Sequence, residues 1–215
     1  MSDPLSEFAL VLGGRRVEAV WDRVRRYCGL PWSNGTAETW AYRYYDSVDS
    51  DASQVAPIDV LSAAALHPGL SRTDLAYFWD RAKPLMQWLE PLPVDLPLRD
   101  ADDSMIRYLA ELADWADSPS ITLLTKVLHR KRPALIPLLD RHVLDWYRPA
   151  TGERTAKAAW PLLLPILRED LGNQGGGAQN ALLLSIMNVE LEKELPRPLT
   201  HLRLVDIAIW MGARR

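Results

Sequence analysis

Apolar residues recur at intervals of three and four in Val17, Val20, Trp21 and Val24, and again in Met105, Ile106, Leu109, Leu112, Ala113 and Ala116. That spacing lays one apolar stripe along each of two helices, leaving the opposite face polar. The same reading predicts helices near 36–47, 56–66, 72–90 with a bend at Pro84, 120–130, 140–147, 156–170, 178–194 and 200–211. About ten short helices follow, and the expected fold class is all-α. Sixteen prolines fall mostly at expected helix starts and junctions, where a missing amide donor costs little, so the helices should meet at angles rather than form a long bundle. Residues 91–103 (PLPVDLPLRDADD) are proline-rich and acidic without a period. They read as a long connection and a candidate junction between two helical lobes inside one domain, 1–215. The stretch 202–211 is apolar nearly all round, which implies either a central buried helix or a dimer surface.

Composition narrows the class. With 215 residues and 48% apolar content, the chain can bury a sizeable core without staples. One cysteine, Cys28, excludes an internal disulfide. The longest apolar run, 159–167, is short and broken by Pro161 and Pro165, so no membrane span is expected. The start MSDPLSEF lacks a basic region followed by an apolar stretch, hence no signal peptide is expected and the cytoplasm is the expected compartment. A formal charge of −3 argues against a generic nucleic-acid coat. The charge is segregated, however. Five Lys/Arg face two acids between Arg130 and Arg148, whereas seven acids face two arginines between Asp95 and Asp117. One basic face could hold an anion on an acidic protein.

Chemistry concentrates in SPSITLLTKVLHRKRPALIPLLDRHV, residues 118–143. It reads as a helix, a basic turn, two prolines and a second helix starting at Asp140. This segment resembles the active-site segment of helix-hairpin-helix DNA glycosylases of the endonuclease III type. Asp140, Arg141, His142 and Val143 match the family's Asp-x-His-Val element. Without a gap, Ser118 and Ser120 fall on the two hairpin glycines, Thr122 on the lyase lysine and Leu124 on an alanine, with 18 positions from Thr122 to Asp140. The resemblance implies a flipped nucleobase in a pocket beside Asp140, whose carboxylate would activate water and stabilise an oxocarbenium-like sugar. Threonine cannot form an imine, so lyase activity is not expected unless Lys126, one helical turn along, takes that role, and this substitution is not expected either. Ser-Pro-Ser in place of glycines weakens the phosphate hairpin. A broader likeness, carried by 124–143 together with LRLVDIAIWM (202–211), is to a family of uncharacterised actinobacterial proteins and implies no activity. An excess of 20 arginines over 5 lysines is compatible with that source.

Each candidate has a plainer reading beside it. Asp140 can cap its helix and do nothing more. His142 is a candidate substrate contact or a buried, hydrogen-bonded histidine. His129, Arg130, Lys131 and Arg132 are candidate anion contacts, with Lys126 and Thr122 nearby, or a solvated helix end favoured by the dipole. Trp40, Tyr42, Tyr44, Tyr45 and Trp146 are candidate pocket aromatics among nine tryptophans and seven tyrosines, most of which suit a core. GNQGGGAQN (172–180) lacks the Lys-Ser/Thr of a P-loop and reads as a turn before a helix. The four histidines and lone cysteine show no metal spacing, so neither metal nor cofactor is expected. The leading expectation is a monofunctional, glycosylase-like hydrolase handling a nucleobase or nucleoside, with nucleic acid as a candidate partner. The alternatives are a noncatalytic binding or dimerisation module and a small-molecule enzyme for a planar substrate on the same scaffold.

Overall fold

The computed structural model describes residues 4–32, 41–67, 69–116 and 120–213. They are mostly helical: α1 Val20–Cys28, α2 Pro57–Ala64, α3 Arg72–Leu89, α4 Asp103–Ala110, α5 Ile121–His129, α6 Arg141–Thr151, α7 Ala156–Asp170, α8 Gly175–Leu191 and α9 His201–Ala213. Local chemistry sets many of the starts. Ser71 accepts from the Asp74 amide and Asp74 reaches back to Ser71 at the head of α3, a capping box; Pro57 opens α2; Asp102 accepts from the Met105 amide at the head of α4. Pro84 lies inside α3, and Pro161 and Pro165 lie inside α7.

Sequence periodicity gave no sign of one element, an antiparallel hairpin of β1 (Leu10–Leu12) and β2 (Arg15–Val17), with Leu10 opposite Val17 and Leu12 opposite Arg15. Gly13 and Gly14 turn it with φ of 57° and 73°, the left-handed pair that a two-residue hairpin turn requires. A Cβ on Gly13 would also lie 2.9 Å from the Tyr147 ring.

Helix α9 is the centre of the packing. Residues Leu202 through Ile209 are all buried, against α1, α6, α8 and β2. Of the two expectations for this apolar helix, the structure gives the buried one. Helix α7 packs on α4, α6 and α8, and its fully buried Trp160 donates Nε1–H to the Leu109 carbonyl at 2.8 Å. The connection at 91–103 is fastened to the same core: Leu92, Leu98 and Ala101 are buried, and the Leu98 amide donates to the Ala134 carbonyl at 2.8 Å. One apolar cluster contains residues from both sides of it. Helix α8 starts three residues earlier than its apolar period suggests, because the glycines of 175–177 form its first turn. A Cβ on Gly177 would lie 2.2 Å from the Glu169 carbonyl, so this glycine lets α8 close on the end of α7. Of the helix expected at 36–47, residues 36–40 lie outside the described residues; Tyr42–Asp46 forms a π-helical turn. No helix among the described residues is long and apolar enough to cross a membrane.

A buried amine and two carboxylates in one cleft

Helix α5 leads through a buried turn into α6. Every residue from Leu123 to Arg132 is buried, and Thr125 Oγ1 accepts the Leu139 amide at 3.2 Å, tying the turn's far end to the helix. Asp140 therefore enters α6 from a fixed position. Its Oδ1 accepts the amides of His142 at 2.8 Å and Val143 at 2.9 Å, which makes it the helix cap. Its second oxygen makes no hydrogen bond among the described residues, and Asp140 borders a narrow cleft together with Lys126, Asp206, Tyr27, Trp210 and Leu66. The space in this cleft is about 10 Å³, room for a single water-sized group.

Lys126 reaches the cleft from α5 with only 3% of its surface exposed. Burial lowers its pKa, opposed by the carboxylates of Asp140 and Asp206 and assisted by Arg203. Asp206, one turn along α9 from Arg203, is pushed up to about 7 by burial; Arg203 pulls it down and Asp140 pushes it further up. Burial thus disfavours the charged form of both groups. Trp210 meets the Tyr27 ring edge-on at 5.9 Å and forms the aromatic wall.

Behind the cleft lies a buried ionic network. Arg203 donates Nε–H to Asp46 Oδ1 at 2.7 Å and Nη2–H to Asp46 Oδ2 at 3.0 Å, and its Nη1 is bonded to Asp206. The Tyr27 hydroxyl accepts from Arg203 and donates to Asp46 Oδ2 at 2.6 Å. The guanidinium also lies 4.9 Å from the Tyr27 ring centre and 5.2 Å from that of Tyr45. Cys28 is buried nearby, and burial pushes its thiol pKa up, away from nucleophilic thiolate chemistry.

The basic run after α5 is placed differently from both sequence readings: it is neither a solvated end nor an anion-contact surface. His129, Arg130, Lys131 and Arg132 are all buried. His129 Nδ1 faces the Ile136 carbonyl at 2.6 Å. Arg130 binds Asp59 and the carbonyls of Tyr45, Val48 and Asp49. Lys131 spends its three protons on Asp59, Ser50 Oγ and the Asp51 carbonyl. Arg132 gathers the carbonyls of Leu89, Leu92, Ala52 and Lys131. His129, Arg130 and Lys131 do border a cavity of about 260 Å³, but their donors are already taken by acceptors inside the protein. The physical reason is the absence of secondary structure in 47–56: its carbonyls need donors, and this run supplies them.

The remaining candidates scatter. Tyr45 is buried with its hydroxyl on the Lys126 carbonyl at 2.6 Å, Tyr42 donates to the Arg197 carbonyl at 3.2 Å, and Tyr44 points to solvent, so these three form no common wall. Trp40 and Ser118 lie outside the described residues. Trp146 braces the hairpin, donating to the Leu12 carbonyl at 3.0 Å beneath the Arg15 guanidinium at 4.0 Å. His142 is half-buried and borders a different groove, with Arg16, Arg23 and Asp145. Thr122 pairs with Ser120 through their hydroxyls at 2.8 Å at the start of α5. Sequence reasoning missed Tyr27, Asp206 and Trp210, whose only local sign was the four-residue spacing of the last two on α9.

Among the described residues there is no group of three or more His, Cys, Asp or Glu placed to hold a metal ion. A family of unknown function (DUF6308) matches residues 20–213, a span that includes the cleft and every helix around it. No curated protein and no solved structure matches the chain.

Proposed function

For a chain that belongs to the DUF6308 family, we propose a hydrolase of N-glycosidic bonds that takes a nucleobase-bearing substrate, with Asp140 as the reacting carboxylate. The observation that carries this reading is the division of labour within Asp140. One oxygen is locked by two amides of α6, and the carboxylate borders an aromatic-walled cleft with room for one water-sized group. A carboxylate held in this way acts as a general base toward water and as an electrostatic partner for an oxocarbenium-like sugar without reorganising. The tethering of the 129–132 run to internal carbonyls and the net charge of −3 favour a free nucleoside over duplex DNA as substrate.

The test is release of free base from a panel of nucleosides, and in parallel from damaged duplex DNA, read by chromatography. Wild type should release base from at least one nucleoside. Asp140→Asn, which keeps a capping oxygen, should stay folded and lose at least a hundredfold in rate. Absence of release by wild type across both panels removes the reading. Release from DNA alone moves the substrate to nucleic acid.

A further inference from the structure

We infer that the groove between the 3-10 turn Leu98–Asp100, α8 and the start of α9 binds a small monocarboxylic acid with an apolar body and a neutral hydroxyl or N–H donor, Arg99 holding the carboxylate and Asn188 accepting from the donor. The groove has about 240 Å³ of space and shares no lining residue with the cleft of Asp140, so the site stands apart from the hydrolytic reading.

Two residues lining the groove each carry a buried polar atom without a hydrogen-bond partner among the described residues: Arg99 Nε and Asn188 Oδ1. Such atoms are few in native proteins because desolvating them is costly, and here one donor and one acceptor occur at the same groove. Each belongs to a side chain whose other end is anchored. Arg99 Nη1 donates to His201 Nδ1 at 3.3 Å. Burial, and then Arg99, lower the pKa of His201 to about 4, so the ring is neutral, Nδ1 accepts, and Nε2–H faces Ser185 Oγ at 3.3 Å. What remains of the guanidinium is the edge made by Nε and Nη2, the pair that grips a carboxylate through two parallel bonds. Asp100 Oδ2 lies 3.6 Å from Nε, an ion-pair contact beyond hydrogen-bond length, on a side chain 43% exposed. Asn188 Nδ2 donates to the Leu199 carbonyl at 2.5 Å, which fixes the orientation of the amide and leaves Oδ1 as an acceptor.

The rest of the lining sets the ligand class. Leu98, Ala134, Leu171, Leu199 and Leu202 make the wall mainly apolar, and the Thr200 hydroxyl is already committed to the Pro133 carbonyl and the Arg203 amide. An apolar body fits such a wall, with a few polar groups fixing its orientation. No Asp or Glu side chain lines the groove, so an ammonium group would meet the Arg99 cation without a neutralising partner; the ligand's donor is therefore a neutral one. The space is smaller than the roughly 300–1,000 Å³ of pockets for drug-sized ligands, which limits the body to a ring system or a short branched chain.

The full-length protein is titrated calorimetrically at neutral pH with 4-hydroxyphenylacetate, 3-phenyllactate and indole-3-acetate. Each acid is compared with its own amide, which lacks the charge, and with phenylacetate, 3-phenylpropionate or 1-methylindole-3-acetate, which lacks the donor. At least one of the three acids should bind with a Kd below about 1 mM, about tenfold or more tighter than its amide and about threefold or more tighter than its donor-free analogue. Arg99→Met, which keeps the apolar stem, should abolish the preference for acid over amide. Hydrogen exchange of wild type with the acid bound should slow at 97–101 and 188–202. No binding by any of the three acids, equal affinity for acid and amide, or protection confined to residues outside these two stretches overturns the inference. A preference that survives in Arg99→Met does so as well, and the analogue series and the exchange map of wild type decide even where that variant fails to fold. Base release is read separately, so failure of one result leaves the other standing.

Discussion

Arg203 and Asp46 form a two-pronged ion pair across 157 positions of sequence, with side chains only 3% and 6% exposed. The pair joins the last helix to the π-helical turn, and Tyr27 and Asp206 complete it. A buried pair of this kind is expensive to break, because removing one partner leaves the other charged and dry. Arg203→Met should cost about 3–5 kcal/mol in urea unfolding, and Arg203→Met combined with Asp46→Leu should recover part of it. A loss below about 1 kcal/mol for the single change would mean that the network does not hold these elements together.

The run at 129–132 should behave as scaffold. Arg132 gathers four carbonyls from three segments with a planar fork that lysine cannot reproduce. Arg132→Lys should therefore destabilise by about 2 kcal/mol, seen as a lower urea midpoint with an unchanged slope. An unchanged midpoint would return this arginine to the surface role that its sequence context suggests.

Acid should weaken the fold before the ordinary carboxylates titrate. Burial lowers His129 to about 4; burial, and then Arg99, lower His201 to about 4. Both histidines are held neutral in the native state and take up protons on unfolding between about pH 6.5 and 4, so their contribution falls as pH falls. Asp206, raised to about 7, has the opposite sign: it is protonated in the native state and releases a proton on unfolding across this window. Two against one leaves a net uptake of about one proton, so stability should rise between pH 5 and pH 6. His201→Gln should flatten that dependence, and a slope that survives the substitution would exclude His201 as its source. Below about pH 4 a further loss is due to Asp59: burial opposes its charge, but bonds from Lys131, Ala56 and Ser50 prevail and hold its pKa below the ordinary 3.8.

The two turn glycines should differ in tolerance. Both have positive φ, but only Gly13 faces the Tyr147 ring. Gly14→Ala should cost about 1 kcal/mol from the left-handed backbone alone, and Gly13→Ala at least about 2. Equal thermal midpoints for the two variants would contradict the packing of β1 and β2 over α6.

The helices were legible because their causes are local. Ser71 with Asp74, Pro57, and the periodic runs in α5, α7 and α9 all lie within a few residues of what they specify. The hairpin escaped because each strand spans three residues, too few for an alternating pattern, although Gly13-Gly14 was a usable sign. The fate of 129–132 was not legible at all. A run of cations looks the same whether it meets water or carbonyls, and most of its acceptors lie about 40 to 85 positions away. The candidate site was half legible. Asp140 and Lys126 sit on neighbouring elements, so a short segment exposes both; Asp206 and Trp210 arrive from α9, and only the folded chain brings them to the cleft.

Helix α9 contributes Arg203, Asp206 and Trp210 and is surrounded by core on nearly every side. During synthesis, then, Asp46 waits without Arg203 until α9 has emerged from the ribosome. A chain that stops before residue 203 carries Asp46 without its guanidinium partner and a cleft without the wall that α9 supplies, so any reactivity there depends on α9 being in place.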